Sequence, residues 1–486
     1  MNSIDIKEID KMKEECGVFG IFSNEENLDV ARFTNFGLFA LQHRGQDACG
    51  IAVNDNGTIV YHKNLGTVPE VFDEVILNHL SGQIAVGHVR AATAASNSRE
   101  NAQPLVTKYV KGTLTLALNG TLINARSLRY GLEQSGALFQ GTTDTEIIAY
   151  LIAKERLFTH SVEDAIGNMV TKLIGAYAFI VMSPSKLIGV RDPKGMKPLC
   201  LGKYKNSYVL ASESVAFDAI NAEFVRDIEP GEMVIITKDG VESRRFAPKC
   251  DSALCVFEHV YFARPDSIID SASVYEARKE AGRYLARQKP VEADVVIAAP
   301  DSGISAAIGY SQETGIPYEV GLMKNRYIAR TFIQPTQEMR ENAVRIKLNA
   351  LKSVVSGKRV ILIDDSIVRG TTSKRVVSLL REAGATEVHM RISSPPFLFP
   401  CYFGTDANSQ ESLVAVSRTI EEINELIGCD SLDYLTLENL LKTPIGSKCN
   451  FCTACFSGNY PLDITEVTKE SDFKDVHFIK KLHIEK

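Results

Sequence analysis

The feature that most constrains the fold is the stretch Val360 to Ser373, which reads VILIDDSIVRGTTS. Its four leading apolar residues predict a strand that is buried on both faces, as in a parallel sheet. Asp364 and Asp365 follow at the carboxyl end of this strand, where open α/β sheets bind their ligands. A loop containing Gly370 then leads into residues with helical apolar spacing, and a helix N-terminus offers free backbone N–H groups to a phosphate. The stretch therefore predicts an α/β sheet with an anion site at its edge.

Two carboxylates beside a phosphate would repel it unless they bind ribose hydroxyls or Mg²⁺. The combination therefore favours a sugar phosphate, although an ordinary strand with an acidic turn would explain either aspartate alone. The whole string resembles the signature of the type I phosphoribosyltransferases, which bind phosphoribosyl pyrophosphate. The resemblance implies that Asp364 and Asp365 hold the ribose hydroxyls and that the following loop wraps the 5-phosphate. The residues assigned to that loop are Ser366, Arg369, Gly370, Thr371 and Thr372.

The length and composition of the chain set limits on its class. A chain of 486 residues is too long for one ordinary core, so we expect two domains. The net charge of −6 argues against a general nucleic-acid or membrane surface, and a polyanionic substrate must then meet local cations. Met1 to Glu15 is charged throughout and lacks the apolar segment of a secretory signal. We therefore expect a cytoplasmic protein whose ten cysteines are not disulfides.

Cys16 opens the short apolar strand CGVFGIF, and taken alone such a cysteine is more often a packed core residue. Four motifs follow it along the chain: QHRGQD at 42–47, GHVR at 87–90, NGTLIN at 119–124 and TTDTE at 142–146. In this order and spacing they resemble the glutaminase domain of the N-terminal-nucleophile amidotransferases, over about Cys16 to Arg245. That family folds as a four-layer sandwich with two antiparallel sheets, which suits short strands such as Leu114 to Leu118 and Ala176 to Met182.

Hydrolysis of a carboxamide requires a nucleophile, a base for its proton, and donors for the developing oxyanion. The α-amine of Cys16 can serve as the base, because a free α-amine titrates near ~7.7–8.0. The sequence therefore predicts that Met1 to Glu15 is a propeptide that must be removed.

The resemblance also implies roles for four further residues. Asn119 and the N–H of Gly120 would form the oxyanion hole, Arg90 would bind the α-carboxylate of glutamine as a bidentate fork, and Asp144 would bind its ammonium group. A type I′ hairpin turn is the structural alternative for Asn-Gly, and a surface ion pair is the alternative for Arg90. The family commonly has an aromatic residue and a serine after this arginine, whereas this chain has Ala91-Ala92-Thr93, which puts the coupling between the two active sites in doubt.

From about Cys255 the pattern changes to alternating helix and strand. A helix is predicted over Ser273 to Lys289, and strands over Ala293 to Ala298 and Glu387 to Ile392, in the rhythm of a parallel sheet. This half is predicted to be a domain over residues 255–465, followed by a mixed-charge tail over 466–486 to which we assign no function.

Pro300 to Gly303 follows the first of these strands, where the phosphoribosyltransferase family has its pyrophosphate loop. A plain turn explains this tetrapeptide equally well in isolation. By resemblance, Ser302 joins Asp364 and Asp365 around Mg²⁺.

The stretch Gly321 to Lys347 is rich in cationic side chains. A solvated basic face is the usual meaning of such a run, but opposite a pyrophosphate we favour a cationic lid that excludes water. Its cations are Lys324, Arg326, Arg330, Arg340, Arg345 and Lys347, and Lys324 is the one that we assign to phosphoribosyl pyrophosphate binding.

The spacing of Cys449, Cys452 and Cys455 is Cys-x-x-Cys-x-x-Cys, which alone does not distinguish zinc from iron–sulfur. The run resembles that of the iron–sulfur members of the amidophosphoribosyltransferase family. This implies a structural [4Fe–4S] cluster and leaves Cys449 as an extra thiol near it. The implied ligands are Cys255, Cys401, Cys452 and Cys455, and the cysteines expected to be buried hydrophobes are Cys49, Cys200, Cys250 and Cys429.

Together the two halves predict an α+β N-terminal-nucleophile glutaminase sandwich at 16–245, followed by an α/β type I phosphoribosyltransferase domain. The resemblance implies amidation of phosphoribosyl pyrophosphate by glutamine, releasing glutamate and pyrophosphate in the first committed step of purine synthesis. It also implies inhibition by purine nucleotides and a homotetramer or homodimer. One alternative is another amidotransferase, which would share only the first half. The other is a regulatory binding protein that has lost catalysis, and an intact Cys16, Asn119, Gly120 and Asp144 argue against it.

Overall fold

The computed structural model describes residues 16–92, 97–325, 348–405 and 409–468. The predicted propeptide, the cations of the predicted lid from Arg326 to Lys347, Thr93, and the tail after residue 468 lie outside the described residues.

The N-terminal half contains two antiparallel sheets. The first has the order β11-β9-β10-β1-β4-β2-β3, and the second has the order β13-β12-β8-β7-β6-β5. The strands are β1 (Gly17–Phe22), β2 (Ala48–Asp55), β3 (Thr58–Leu65), β4 (Ile84–Arg90), β5 (Leu105–Tyr109), β6 (Gly112–Leu122), β7 (Gly175–Ser183), β8 (Lys186–Arg191), β9 (Cys200–Tyr204), β10 (Ser207–Ala211), β11 (Glu223–Asp227), β12 (Glu232–Thr237) and β13 (Gly240–Arg245).

The two sheets face each other across a core in which Val18 on β1, Ala117 on β6 and Ile180 on β7 are buried. The outer face of the first sheet packs against α1 (Val30–Ala40), and that of the second packs against α5 (Asp144–Glu155) and α6 (Val162–Met169). Helices therefore cover both outer faces, and the predicted four-layer sandwich is confirmed. The helices of this half are α1 (Val30–Ala40), α2 (Val68–Val71), α3 (Glu74–Asn78), α4 (Ala125–Gln134), α5 (Asp144–Glu155), α6 (Val162–Met169) and α7 (Val215–Asp218).

One strand of this half was missed by sequence reasoning. The pattern predicts that Met233 to Thr237 is the last strand, but β12 continues through a hairpin into β13, where Glu232 pairs with Arg245. β13 lies at the edge of its sheet and carries Glu242 and Arg245 on exposed positions. Charged side chains are common on edge strands, and they hide the apolar alternation that identifies a strand in the sequence.

The C-terminal half contains a four-stranded parallel sheet with the order β17-β20-β21-β22. Helices α8 (Val274–Gln288) and α9 (Ile304–Thr314) pack on one face of this sheet, and α11 (Thr371–Glu382) and α13 (Ile420–Ile427) pack on the other. The strands of this half are β14 (Leu254–Cys255), β15 (Ile268–Ile269), β16 (Ala272–Ser273), β17 (Val295–Ala298), β18 (Leu322–Lys324), β19 (Leu348–Ala350), β20 (Arg359–Asp364), β21 (Glu387–Ile392), β22 (Ser431–Tyr434) and β23 (Phe451–Cys452).

The helices of this half surround the sheet and continue into the C-terminal segment. A π-helix, Glu258–Phe262, precedes them. They are α8 (Val274–Gln288), α9 (Ile304–Thr314), α10 (Lys352–Val355), α11 (Thr371–Glu382), α12 (Val414–Ser417), α13 (Ile420–Ile427), α14 (Leu437–Leu440), α15 (Ala454–Ser457) and α16 (Thr465–Thr468). Over the described ranges, none of these helices has the length and apolarity needed to cross a membrane.

Three of the four cysteines that were predicted to be buried hydrophobes are buried in the structure. Cys49, Cys200 and Cys429 are buried. Cys250 is exposed, so the prediction for it is wrong. It lies in the segment that connects the two halves, where its thiol donates a hydrogen bond to the carbonyl of Pro193 at 3.1 Å.

Candidate functional site

Cys16 immediately precedes β1, and the neighbouring Gly17 pairs with Val89 on β4. This pairing brings Cys16 to the carboxyl end of β4, where its thiol lies 3.8 Å from the carbonyl oxygen of Ala91. The side chain is partly exposed, as a nucleophile that must meet a substrate has to be.

Asn119 and Gly120 lie inside β6, opposite Ala178 and Tyr177 of β7. The hairpin-turn interpretation of this pair is therefore wrong. Gly120 has a φ of +124°, and a Cβ at this position would lie 2.0 Å from the carbonyl oxygen of Ala176. This backbone conformation and the close approach together require glycine.

The side chain of Asn119 is fully buried, and neither its oxygen nor its nitrogen has a hydrogen-bond partner among the described residues. An unpaired buried polar group costs about 1–3 kcal/mol. A buried amide without a partner among the described residues agrees with the predicted oxyanion-hole donor.

Arg90 ends β4 and is buried, so its interpretation as a surface ion pair is wrong. Burial lowers the pKa of its guanidinium, while the charges of Cys16 and Asp47 oppose that change. Asp47, to which sequence reasoning assigned no role, accepts a hydrogen bond from the backbone N–H of Ala92 at 2.8 Å. The sequence analysis recognised the QHRGQD motif that contains Asp47. It did not predict the bond to Ala92, because the two residues are 45 positions apart and a local pattern does not connect them.

Asp144 is the first residue of α5. Its carboxylate accepts hydrogen bonds from the backbone N–H of Leu122 at 2.8 Å and from the hydroxyl of Thr121 at 2.9 Å. Burial raises the pKa of Asp144, and these two hydrogen bonds oppose the change. Because Thr121 directly follows Gly120 on β6, the structure brings this carboxylate next to the predicted oxyanion hole.

His88 is the histidine of the GHVR motif, and it is fully buried on β4. Burial lowers its pKa to about 3, so the ring is neutral at physiological pH. Its Nε2 lies 2.9 Å from the carbonyl oxygen of Leu118, which requires the proton to be on that nitrogen. His88 therefore supports β6 through this hydrogen bond.

The second site lies at the carboxyl end of β20. Asp364 and Asp365 are buried there, and the backbone N–H of Asp365 donates to the carboxylate of Asp364 at 2.9 Å. The hydroxyl of Ser366 donates to Asp365 at 2.5 Å. Gly370, with a φ of +84°, then turns the chain into α11. Arg369 thus lies in the loop, while Thr371 and Thr372 are the first two residues of α11, so these residues meet at a helix N-terminus, as the phosphate interpretation predicts.

The turn Pro300 to Gly303 packs against the same end of β20. The N–H of Ala299 donates to the carbonyl of Ile363 at 2.8 Å, and the N–H of Gly303 donates to that of Ala299 at 3.0 Å. Ser302 therefore lies at the carboxyl end of the parallel strands, the same end of the sheet that carries the two aspartates. Lys324, at the end of β18, forms an exposed ion pair with Asp301 at 3.1 Å, which brings this cation to the turn.

The four cysteines assigned to a cluster line one cavity, together with Phe257, Phe403 and Lys197. Parallel pairing of β14 with β23 places Cys255 opposite Cys452, and the carbonyl of Cys455 accepts hydrogen bonds from Leu398 and Phe399. Within the described ranges, however, no three His, Cys, Asp or Glu side chains have the spacing of a metal site. Cys449 does not line the cavity. Its thiol faces the hydroxyl of Ser447 at 3.1 Å and interacts with Asp270.

Both halves match known domain families. A glutamine amidotransferase domain model matches residues 88–219, and a phosphoribosyl transferase domain model matches residues 271–393. The amidophosphoribosyltransferase of Bacillus subtilis is 49% identical over 469 residues, covering 95% of this chain and 97% of the relative. That of Methanocaldococcus jannaschii is 48% identical over 464 residues, covering 92% and 98%. The chain belongs to the amidophosphoribosyltransferase family.

The fold agrees with this family. A solved structure of glutamine phosphoribosylpyrophosphate amidotransferase from Bacillus subtilis, complexed with ADP and GMP, matches with a TM-score of 0.87 and 49% identity. The match covers 92% of this chain and 98% of that structure. The chain is thus an enzyme in which a glutamine amidotransferase domain precedes a phosphoribosyltransferase domain, as the sequence predicts. Nothing in these relationships supports the alternative of a regulatory protein without catalysis.

Proposed function

We propose that the chain converts phosphoribosyl pyrophosphate, glutamine and water into phosphoribosylamine, glutamate and pyrophosphate, the first committed step of purine synthesis. The observation that carries the proposal is the presence of two candidate sites in one chain. Cys16 with its buried Asn119 supplies one site, and the paired aspartates at the end of β20 supply the other. The near full-length similarity to amidophosphoribosyltransferases agrees with this combination.

The glutaminase reaction uses the first site. The thiol of Cys16 attacks the side-chain amide of glutamine after the α-amine, freed by removal of the propeptide, accepts its proton. The amide of Asn119 and the N–H of Gly120 donate to the oxyanion, while Arg90 and Asp144 hold the α-carboxylate and the ammonium of the substrate. Ammonia leaves, and water then hydrolyses the γ-glutamyl thioester to glutamate.

The second site uses that ammonia. Asp364 and Asp365 hold the ribose, and the loop from Ser366 to Gly370, together with Thr371 and Thr372 at the N-terminus of α11, holds the 5-phosphate. Ammonia attacks C1 as pyrophosphate leaves, and Lys324 provides a cation next to the pyrophosphate turn. The hard oxygen donors of Ser302, Asp364 and Asp365 suit Mg²⁺, which when bound supplies charge neutralisation for the pyrophosphate.

We assign a structural [4Fe–4S] cluster to Cys255, Cys401, Cys452 and Cys455. Four thiols that line one cavity are the donor type that such a group takes, and its role would be to fasten the C-terminal segment to the rest of the chain. Cys255 also connects to the N-terminal half, since its N–H donates to the carbonyl of Met196 at 3.2 Å.

We expect Cys452→Ser to lose most of its iron and acid-labile sulfide, and to melt at a temperature about 5 °C or more below that of the wild type, because a ligand of a structural site contributes to folding. Elemental analysis, visible absorption and thermal unfolding measure these changes. Cys250→Ser is the control, because Cys250 is exposed and lies outside the cavity. Full iron content in the Cys452 variant would contradict the assignment.

The overall function is tested by measuring glutamine hydrolysis with and without phosphoribosyl pyrophosphate and Mg²⁺. We expect stimulation of about tenfold by the sugar phosphate, the scale of a typical coupling free energy, with phosphoribosylamine formed in step with glutamate. Unstimulated hydrolysis without phosphoribosylamine would identify a different amidotransferase. Binding of the sugar phosphate without either activity would instead favour the regulatory alternative.

Regulation, assembly and location remain predictions. We propose purine nucleotides as feedback inhibitors, because the related Bacillus subtilis structure holds ADP and GMP. The proposed homotetramer or homodimer and the cytoplasmic location follow only from the resemblance and from the charged leader.

A further inference from the structure

A cluster of three buried charges joins the two halves of the chain. It consists of Arg44, Glu213 and Glu258, whose side chains are all fully buried, and we call it the charge junction. Arg44 donates to both carboxylate oxygens of Glu258, at 2.8 and 3.0 Å, and to Glu213 at 2.7 Å. Arg44 and Glu213 belong to the N-terminal half and Glu258 belongs to the C-terminal half, so the junction crosses the boundary between them.

The charge junction reaches the nucleophile directly. The Nε of Arg44 donates to the main-chain carbonyl of Cys16 at 3.2 Å. The second oxygen of Glu213 accepts hydrogen bonds from the N–H of Arg264 at 2.9 Å and the hydroxyl of Ser267 at 2.6 Å. Burial alone would raise the pKa of Glu213, but the charges of His43 and Arg44 hold it well below its usual value. The ionised form of Glu213 is therefore favoured, and its hydrogen bonds connect Arg44 to the C-terminal half.

The charge junction also extends toward the second site. Glu258 is the first residue of the π-helix, and the carbonyls of His259 and Ala263 accept hydrogen bonds from Arg278 at 2.9 and 2.7 Å. Burial lowers the pKa of Arg278 to about 10, and the charge of Asp365 is the largest of the effects that oppose this lowering. Hydrogen bonds thus connect Cys16 to Arg44 and Arg44 to Glu258, and the π-helix that begins at Glu258 is hydrogen-bonded to Arg278, whose pKa responds to the charge of an aspartate that we assign to the ribose.

Stability alone does not explain this arrangement. Removing three charges from water costs several kcal/mol per ion, and apolar side chains of similar size often stabilise a protein as well or better. The bidentate geometry instead fixes the position of the Arg44 guanidinium, and with it the carbonyl of Cys16. Short π-helices are rare and occur often at functional sites, where a small shift of the backbone changes the direction of a side chain.

We propose that Glu258 is a positioning residue for glutamine hydrolysis. Through Arg44 it holds the main chain of Cys16 in the orientation needed for attack, and through the π-helix and Arg278 it transmits the state of the sugar-phosphate site to Cys16. This inference rests on the proposed function.

The test uses Glu258→Gln in the processed full-length enzyme, because glutamine keeps the shape but removes the charge that holds Arg44. We expect stimulation of glutamine hydrolysis by phosphoribosyl pyrophosphate to fall from about tenfold to less than about twofold. The loss should appear in kcat and not in KM for glutamine, since Arg90 and Asp144 are unchanged. Synthesis of phosphoribosylamine from added ammonium should stay within about twofold of the wild type, since this reaction bypasses Cys16.

Two control variants separate positioning from stability. Glu232→Gln removes a buried carboxylate that binds Arg226 at 2.6 and 2.8 Å within the N-terminal half. Asp270→Asn removes an ion pair with Arg191, at 2.8 and 3.0 Å, that crosses between the halves as the charge junction does. Both should lower the melting temperature and leave the stimulation unchanged. Equal loss of stimulation in Asp270→Asn would show that any crossing ion pair suffices, which would overturn the proposal.

Unchanged stimulation in Glu258→Gln would also overturn the proposal. If this variant does not fold, Glu258→Asp keeps the buried charge but is too short to place both oxygens on Arg44, so stimulation should fall at least about threefold. Full stimulation in a folded Glu258→Asp enzyme would then be the contradicting result. Absence of stimulation or of phosphoribosylamine in the wild type would count against the proposed function itself.

Discussion

Replacement of Cys16 by alanine is expected to lower glutamine-dependent synthesis of phosphoribosylamine by at least about 10³-fold, because no covalent intermediate can form. Synthesis from added ammonium should stay within about twofold of the wild type, since the second site is untouched. Steady-state assays with each nitrogen source measure both values. Intact mass of the wild type should correspond to a chain that begins at Cys16, because the proposed base is the α-amine of that residue.

Cys250→Ala provides the matched control for this experiment. Cys250 is exposed and lies in the connecting segment, so its loss should change neither reaction. Substantial glutamine-dependent activity in the Cys16 variant, or full activity of a wild-type enzyme that retains its leader, would refute the assignment of nucleophile and base.

Replacement of Asp365 by asparagine is expected to lower synthesis of phosphoribosylamine by about 10²- to 10³-fold with either nitrogen source. The carboxylate is buried, accepts a hydrogen bond from Ser366, and is one of the residues that we assign to the ribose and Mg²⁺. Unlike the Cys16 variant, this enzyme should retain unstimulated glutamine hydrolysis. The same two assays, together with binding of phosphoribosyl pyrophosphate measured by calorimetry, distinguish these outcomes.

Asp430→Asn is the control for Asp365. Asp430 directly precedes β22 and therefore lies at the amino end of the sheet, whereas Asp365 lies at the carboxyl end. Its exposed carboxylate pairs with Arg381. We expect this change to leave both reactions intact. If the Asp365 variant aminated the sugar phosphate normally from ammonium, the second site would have to be sought elsewhere.

Elements whose apolar residues are local and buried were predictable from the sequence. The predicted strand Glu387 to Ile392 has the bounds observed for β21, and the predicted helix Ser273 to Lys289 differs from α8 by one residue at each end. Burial on both faces produces a continuous apolar run in β20, which identifies it as a strand. Apolar residues at helical spacing identify a helix equally well. The position of Asp364 at the end of β20 follows from the same local pattern.

Features that depend on distant partners were not predictable. Asn119 and Gly120 have a strong local preference for a hairpin turn, but pairing with β7 keeps them in a strand. The bond between Arg44 and Glu258 joins residues 214 positions apart, and no spacing rule connects them. Long-range contacts of this kind decide which charges are buried together. The role that we propose for Glu258 depends on such a contact and could not be derived from the motifs.

The position of β1 has a practical consequence for handling the enzyme. β1 lies fourth among seven strands and is hydrogen-bonded to β10 on one side and to β4 on the other. Most chain termini fray, but an end created just before β1 would be anchored in the middle of a sheet. If the leader is removed as we propose, a purification tag at the amino end would be lost with it or would obstruct processing, so tags and fluorophores belong at the carboxyl end.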